Sequence, residues 1–254
     1  MVTLPRPLLA CSACVVMFSI FPGVLHGYPE SHPPFPAGKP VPYPALQADL
    51  VIDYGAGAPF EEGPIRISNI PYWGKKKGRV TEVRVKGRRI FDTHTAHPDL
   101  FFISLGGRVF YTDLTGDGLK DILIYTWLGG NGLGAYDEMA DLLIAQADGR
   151  FDHVTFMAFA GGPEDFIDVN HDGRYEMLWA QFHIFKGEHS YWVYRVVEID
   201  DHGLQLNDQL LPGFPKIIWF TKKPNDKPTQ RLTTAEREDL IRQSTAAWQG
   251  ENSQ

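Results

Sequence analysis

The stretch Asp113-Leu-Thr115-Gly-Asp117-Gly118-Leu119-Lys-Asp121 recurs as Asp168-Val-Asn170-His-Asp172-Gly173-Arg174-Tyr-Glu176. Each copy carries side-chain oxygens at its first, third, fifth and ninth positions and a glycine at its sixth. Alternate residues of a tightly turning loop can aim inward together. A hard cation such as Ca2+ takes about 6–8 oxygens at about 2.3–2.6 Å, so this spacing suits it. The glycine supplies the positive φ that other residues resist. The expected ligands are Asp113, Thr115, Asp117, Leu119 (through its carbonyl) and Asp121 in the first loop. In the second they are Asp168, Asn170, Asp172, Arg174 (through its carbonyl) and Glu176. Without a cation Asp113, Asp117 and Asp121 would repel one another, so the loop is expected to depend on Ca2+ for order. Thr115 is a neutral hydroxyl where the pattern has a carboxylate or amide, which makes the first site the weaker. Plain Asp/Asn/Gly turns are the competing reading, and the duplication favours metal.

The spacing rejects an EF-hand, which needs a bidentate Glu at position twelve and flanking helices. Position twelve is Ile124 in one copy and Trp179 in the other. Each loop runs instead into an apolar and aromatic stretch, Ile122-Leu-Ile-Tyr-Thr-Trp127 or Met177-Leu-Trp-Ala-Gln-Phe182, which reads as a buried strand. A turn follows each: Ala147-Asp148-Gly149-Arg150-Phe151 after the first loop and Asp200-Asp201-His202-Gly203-Leu204 after the second. The turn glycine lies 36 residues beyond the first aspartate in one copy (113 to 149) and 35 in the other (168 to 203). An acidic nonapeptide leading into a hydrophobic strand, followed by such a hairpin, resembles the FG-GAP/VCBS repeats of integrin α-chain propellers and bacterial secreted proteins. The resemblance covers roughly Phe110 to Asp208. It implies an all-β, mainly antiparallel fold, propeller-like or a partial propeller of FG-GAP/VCBS-like units. A seven-bladed propeller would need far more than 254 residues.

Other segments read in chain order. Residues 1–27 read as a secretory signal: Arg6, an apolar run from Leu8 to Phe21, a Pro22-Gly23 break and a cleavage point after Gly27. Lipid anchoring at Cys11 is the second reading. The two cysteines, Cys11 and Cys14, fall inside this segment, so a secreted or periplasmic mature chain would have no disulfide or thiolate metal site. Loss of Arg6 moves the formal charge from −7 to −8, which argues against nucleic acid or an anionic membrane as partner. The short basic cluster Lys75-Lys76-Lys77-Gly-Arg79 reads as a solvated turn. Seven prolines between residues 28 and 45 read as an extended tether without a transmembrane segment after it.

The β domain is expected over 46–221, with loop units at about 110–164 and 165–210. Val80 to Val85, a Lys86-Gly87 turn and Arg88 to Phe91 form one hairpin. Phe101 to Leu105, a Gly106-Gly107 turn and Arg108 to Tyr111 form the next. Leu142 to Gln146 pairs with Phe151 to Phe156, and Tyr191 to Ile199 with Leu204 to Leu206. A linker at 222–232 precedes a helix at 233–249, opened by the capping box Thr233-Thr-Ala-Glu236, with Leu240, Ile241 and Trp248 as its apolar side.

Catalytic signals are sparse. Gly-x-Ser-x-Gly and His-Glu-x-x-His are absent from the sequence. Asp92-Thr-His94-Thr-Ala-His97-Pro-Asp99 offers residue types suited to Zn2+, but spacing identifies no dispersed third ligand, which favours a polar loop. Gly129 to Gly134 lacks a phosphate-loop ending and reads as a flexible connection. Glu61/Glu62 and Glu164/Asp165 read as acidic surface, and Trp179, Phe182, Tyr191, Trp192 and Tyr194 as core before sugar platform. The leading expectation is therefore a non-enzymatic binding or scaffold module with calcium-stabilised loops and a protein or glycan ligand. The alternative is a secreted hydrolase using the 92–99 loop or an acidic cleft.

Overall fold

The computed structural model describes residues 43–55, 57–73, 77–98, 106–127, 137–159, 162, 165–185, 189–200, 203–220 and 232–251. The expected signal, residues 28–42 of the tether, Lys75-Lys76, Phe101 to Leu105, the glycine-rich run 129–134 and residues 222–231 of the linker lie outside them.

The fold is mainly antiparallel β with one long C-terminal helix, in three sheets that do not close into a ring. Sheet 1 is a meander of β2 (Gly57–Glu62), β3 (Ile65–Trp73), β4 (Lys77–Val85) and β5 (Arg88–Asp92). Sheet 2 is the meander β6 (Gly106–Thr112), β7 (Asp121–Trp127), β8 (Asp137–Ala145) and β9 (Phe151–Phe159). Strand β1 (Leu50–Gly55) adds to its β6 edge. Sheet 3 runs β10 (Phe166–Ile167), β11 (Glu176–Phe185), β12 (His189–Asp200) and β13 (Gly203–Leu206). Strand β14 (Lys216–Phe220) lies beside the first half of β12 while β13 pairs with its second half. Four-stranded meanders of this kind are the blade unit of propellers.

Sheet 2 is the middle layer, and its sequence shows why. Asp121 to Thr126 are all buried, although a strand with one wet face would alternate polar and apolar residues. Side chains alternate faces with period two. Ile122 and Ile124 join Ile65, Ile67, Val83 and Phe91 of sheet 1, whereas Leu123 and Tyr125 join Met177, Trp179, Val197 and Ile199 of sheet 3. The unbroken apolar run is thus two interleaved half-cores. In sheet 1, Arg66, Ser68 and Arg84 alternate with buried Ile65, Ile67 and Val83, so its outer face is polar.

The helix α2 (Thr234–Glu251) opens on the expected capping box: Glu236 N–H donates to Thr233 Oγ1 (3.3 Å) and Thr233 N–H to Glu236 Oε2 (2.9 Å). Leu240, Ser244 and Trp248, four residues apart, are its buried stripe. Trp248 meets Trp179 edge-on with ring centroids 5.0 Å apart.

One turn expectation is corrected. Gly106 and Gly107 belong to strand β6, opposite Gly55 and Tyr54, and not to a hairpin turn. A Cβ on Gly107 would lie 1.9 Å from the Tyr125 carbonyl oxygen and 2.6 Å from the Tyr54 hydroxyl; on Gly106 it would lie 2.3 Å from the Tyr54 carbonyl. These glycines are there because neighbouring backbone and the Tyr54 ring approach too closely for a side chain.

Candidate functional site

Both acidic loops connect neighbouring antiparallel strands, 113–120 between β6 and β7 and 168–175 between β10 and β11. The ninth residue, Asp121 or Glu176, opens the following strand. Three hydrogen bonds recur. The sixth-position N–H reaches the first carboxylate, Gly118 to Asp113 (2.8 Å) and Gly173 to Asp168 (3.1 Å). The seventh reaches the fifth, Leu119 to Asp117 (2.7 Å) and Arg174 to Asp172 (2.8 Å). The second reaches the ninth, Leu114 to Asp121 (2.8 Å) and Val169 to Glu176 (3.0 Å). Gly118 and Gly173 each take φ +86°, the left-handed geometry that glycine tolerates best.

The loops also touch. Tyr175 N–H donates to the Leu114 carbonyl at 3.1 Å. A methyl group on Gly116 would lie 3.0 Å from the Arg174 side chain and 3.1 Å from the Gly173 carbonyl oxygen. Asp113, Asp117, Asp121, Asp168, Asp172 and Glu176 thus lie in adjoining loops.

Burial distinguishes their ninth residues from ordinary surface acids. Desolvation pushes the Asp121 carboxyl up to about 6 against N–H donation from Ala145, Leu114 and Thr115, and the Asp117 charge pushes it further. Desolvation also raises Glu176, opposed by the Val169 N–H and helped by the charges of Asp172 and Asp168. Thr115 Oγ1 is buried with no hydrogen-bond partner. Asn170 is exposed and engaged at both ends, donating through Nδ2 to Asp172 Oδ2 (2.9 Å) and accepting from the Asp172 N–H (3.0 Å). Raised carboxylates and an orphaned hydroxyl are features that a cation would relieve, so the donor set fits Ca2+ in kind.

A different cluster gathers more tightly. Among the described residues, the group of three or more His, Cys, Asp or Glu whose ligand atoms all lie within 4.8 Å of one another is His97, Asp141 and His153. Asp92 accepts from the Thr95 N–H (2.7 Å) and caps the single-turn helix α1 (Thr93–Ala96), which follows sheet 1 and delivers His97 at its end. Asp141 projects from β8 toward sheet 1, and His153 comes from β9. Asp141 Oδ1 accepts from Thr155 Oγ1 (2.9 Å) and lies 2.8 Å from His97 Nε2 and 2.7 Å from His153 Nε2. Phe91 sits edge-on to both imidazoles, with centroids 6.5 and 5.6 Å away. Burial drives the Asp141 carboxyl upward, but hydrogen bonds from His153 and His97 outweigh it and hold it below the usual carboxylate range.

The 92–99 stretch therefore does not act as one cluster: His97 turns to sheet 2, while His94 stays exposed and Asp99 lies outside the described residues. A sequence signal for Asp141 existed. It is the one charge inside the apolar run Met139-Ala-Asp-Leu-Leu-Ile144, and a turn at Asp148-Gly149 sets it opposite Thr155, two residues from His153. The other constellations resolve simply. Trp179, Tyr191, Trp192 and Tyr194 are buried, and Phe182 packs on Trp192 with centroids 5.0 Å apart. Glu61 faces Arg66 at 3.8 Å on the surface, and Asp165 accepts from the Gly162 N–H. No helix among the described residues is long and apolar enough to cross a membrane.

No protein-family model, no curated protein and no solved structure matches the chain.

Proposed function

We propose that this chain is a secreted or periplasmic, non-enzymatic binding or scaffold module whose two acidic loops take Ca2+ as a structural ion. The carrying observation is that the same nonapeptide pattern occurs twice, each time between neighbouring antiparallel strands, with the same three hydrogen bonds. Asp113, Thr115, Asp117, Asp121, Asp168, Asn170, Asp172 and Glu176, with the carbonyls of Leu119 and Arg174, are the proposed ligands. The likeness of these loops to FG-GAP/VCBS repeats supports the same reading.

Ca2+ would neutralise two touching acidic loops and stitch the start of β7 to the start of β11. In a chain whose cysteines stop at Cys14, it would serve where secreted domains of other kinds use disulfides. A protein or glycan ligand is proposed because a concavity of about 620 Å3 on the outer face of sheet 1 is polar. It is lined by Glu61, Arg66, Ser68, Glu82, Arg84 and Lys86, groups that hydrogen-bond hydroxyls and peptide amides.

Thermal melts of the purified chain in excess Ca2+, Mg2+ or chelator test the proposal. Ca2+ at a hundred times its dissociation constant adds about 2.7 kcal/mol per site, a rise of roughly 5–10 °C for a domain of this size. Asp117→Ala and Asp172→Ala should each remove part of that rise. Identical melts in all three conditions would overturn the calcium role. A hydrolytic activity lost in His97→Ala with the fold intact would overturn the non-enzymatic reading.

A further inference from the structure

We propose that His97, Asp141 and His153 form a binding site for a divalent transition cation of the Zn2+ class, separate from the acidic loops, which clamps sheet 1 to sheet 2. The three side chains come from the residue that ends α1, from β8 and from β9, on both sides of the interface between the two sheets. Two imidazoles and one carboxylate make a borderline-soft donor set that suits Zn2+ and its neighbours and does not suit Ca2+.

The distances fit with little movement. At Zn–N and Zn–O bonds of about 2.0–2.2 Å, tetrahedral ligand atoms stand about 3.3 Å apart. Asp141 Oδ1 already lies 2.7–2.8 Å from both Nε2 atoms. Spreading each of these two pairs by about half an ångström admits the ion in place of the bridging protons, and the two imidazole ligand atoms already lie within 4.8 Å of one another.

The carboxylate itself is the second, independent pointer. Asp141 is fully buried, yet its hydrogen bonds converge on Oδ1, while Oδ2 is buried with no partner. A carboxylate in such a position is strongly disfavoured unless its charge is compensated. Two imidazoles and a threonine hydroxyl on one oxygen leave the other uncompensated. A dication beside Oδ1 supplies the missing positive charge to the whole carboxylate, and Oδ2 is free to approach it as a second oxygen.

The surroundings match a site that is held yet reachable. Phe91 fixes both rings from one side. The His97 side chain is 9 % exposed and that of His153 is 33 % exposed, so the ion enters past His153. Thr155 Oγ1, 3.2 Å from His153 Nε2, stands where it can hydrogen-bond a water in the fourth position. Three protein ligands and a water make a site of open type. Its structural effect is to tie the segment after β5 to the β8–β9 hairpin.

Titration of the purified full chain with Co2+ tests this, Co2+ reporting coordination through its visible absorption. The expected result is one equivalent bound with an intense band that Zn2+ abolishes. His153→Ala, at the exposed edge and therefore safest for folding, should weaken Co2+ binding by at least the roughly 100-fold reached by loss of some outer-shell partners. His97→Gln should do the same. Asp117→Ala combined with Asp172→Ala should leave the band unchanged, which separates this site from the calcium reading. Zn2+ should also raise the melting temperature of the unaltered chain and not that of His153→Ala. Absence of Co2+ and Zn2+ binding, or binding that survives in His153→Ala, would overturn the proposal and leave the cluster a hydrogen-bonded tie between sheets.

Discussion

The first acidic loop is built into the middle of the molecule and the second into its outer layer, although their spacing is the same. Asp121 is fully buried and its two oxygens take the N–H groups of Leu114, Thr115 and Ala145. The last of these belongs to β8, the neighbouring strand of the sheet. Glu176 takes the N–H of Val169, within its own loop. The third residues differ in the same sense, Thr115 buried with an unpartnered hydroxyl and Asn170 exposed with both ends satisfied. One pattern of residue types thus yields a loop keyed to the core and a loop keyed to itself. What decides between them is the layer each sheet occupies.

The widest separation between the loops should appear with pH. The folded carboxyl of Asp121 is raised from 3.8 to about 6, so between those values the folded chain binds more protons than the unfolded one. Stability must therefore fall as pH rises through that window, by about 3 kcal/mol in total at 1.36 kcal/mol per unit. Denaturant midpoints in chelator from pH 4 to 7 should show this slope. Asp121→Asn should flatten it, and Glu176→Gln should leave most of it. Ca2+ should restore stability at the upper end, because a cation favours the ionised carboxylate.

Truncation comes next in size. Asp121→Ala strips the acceptor from three buried N–H groups and Glu176→Ala from one. The first should cost at least about 2 kcal/mol more, at about 1–3 kcal/mol per unsatisfied group. Equal losses in urea would mean that the two loops are embedded alike.

Gly116→Ala should damage both loops together. Gly116 holds φ +71°, and a methyl there presses on Gly173 and Arg174. A loss of about 1–2 kcal/mol is expected. In Ca2+, binding at the two loops should weaken jointly, as read by calorimetric titration.

The third residues give the smallest and most diagnostic contrast. In chelator, Thr115→Val removes an unpartnered buried hydroxyl and should be neutral or stabilising by about 1 kcal/mol, whereas Asn170→Ala breaks two hydrogen bonds and should cost about that much. In Ca2+ both should lose affinity, since each removes a proposed ligand oxygen. A Thr115→Val variant with full calcium affinity would remove that hydroxyl from the first site.

The sequence carried the parts of this fold that depend on neighbours along the chain. Period-two patterning and Gly-centred turns marked β4, β5, β8, β9, β12 and β13, and Thr233 with Glu236 marked the helix start. The acidic spacing needed only the chain's own turning to bring its carboxylates near one another. The strands that the sequence did not mark are β1, β2, β3, β10 and β14, and among them β1 and β14 are short edge pieces whose partners lie well away along the chain. Gly106-Gly107 reads as a turn until Tyr54 and Tyr125 are packed against it, because the reason for glycine there is a neighbour's bulk.

An antiparallel β chain with two acidic loops, their hairpins and a capped C-terminal helix follows from contacts among residues close in sequence and from the two-residue alternation of a strand. That sheet 2 lies between the others, that Asp121 is buried more deeply than Glu176, and that His97 meets Asp141 and His153 arise only when the sheets come together. Those outcomes depend on which faces stack. Stacking is governed by the fit of whole apolar surfaces, which no short window of residues contains.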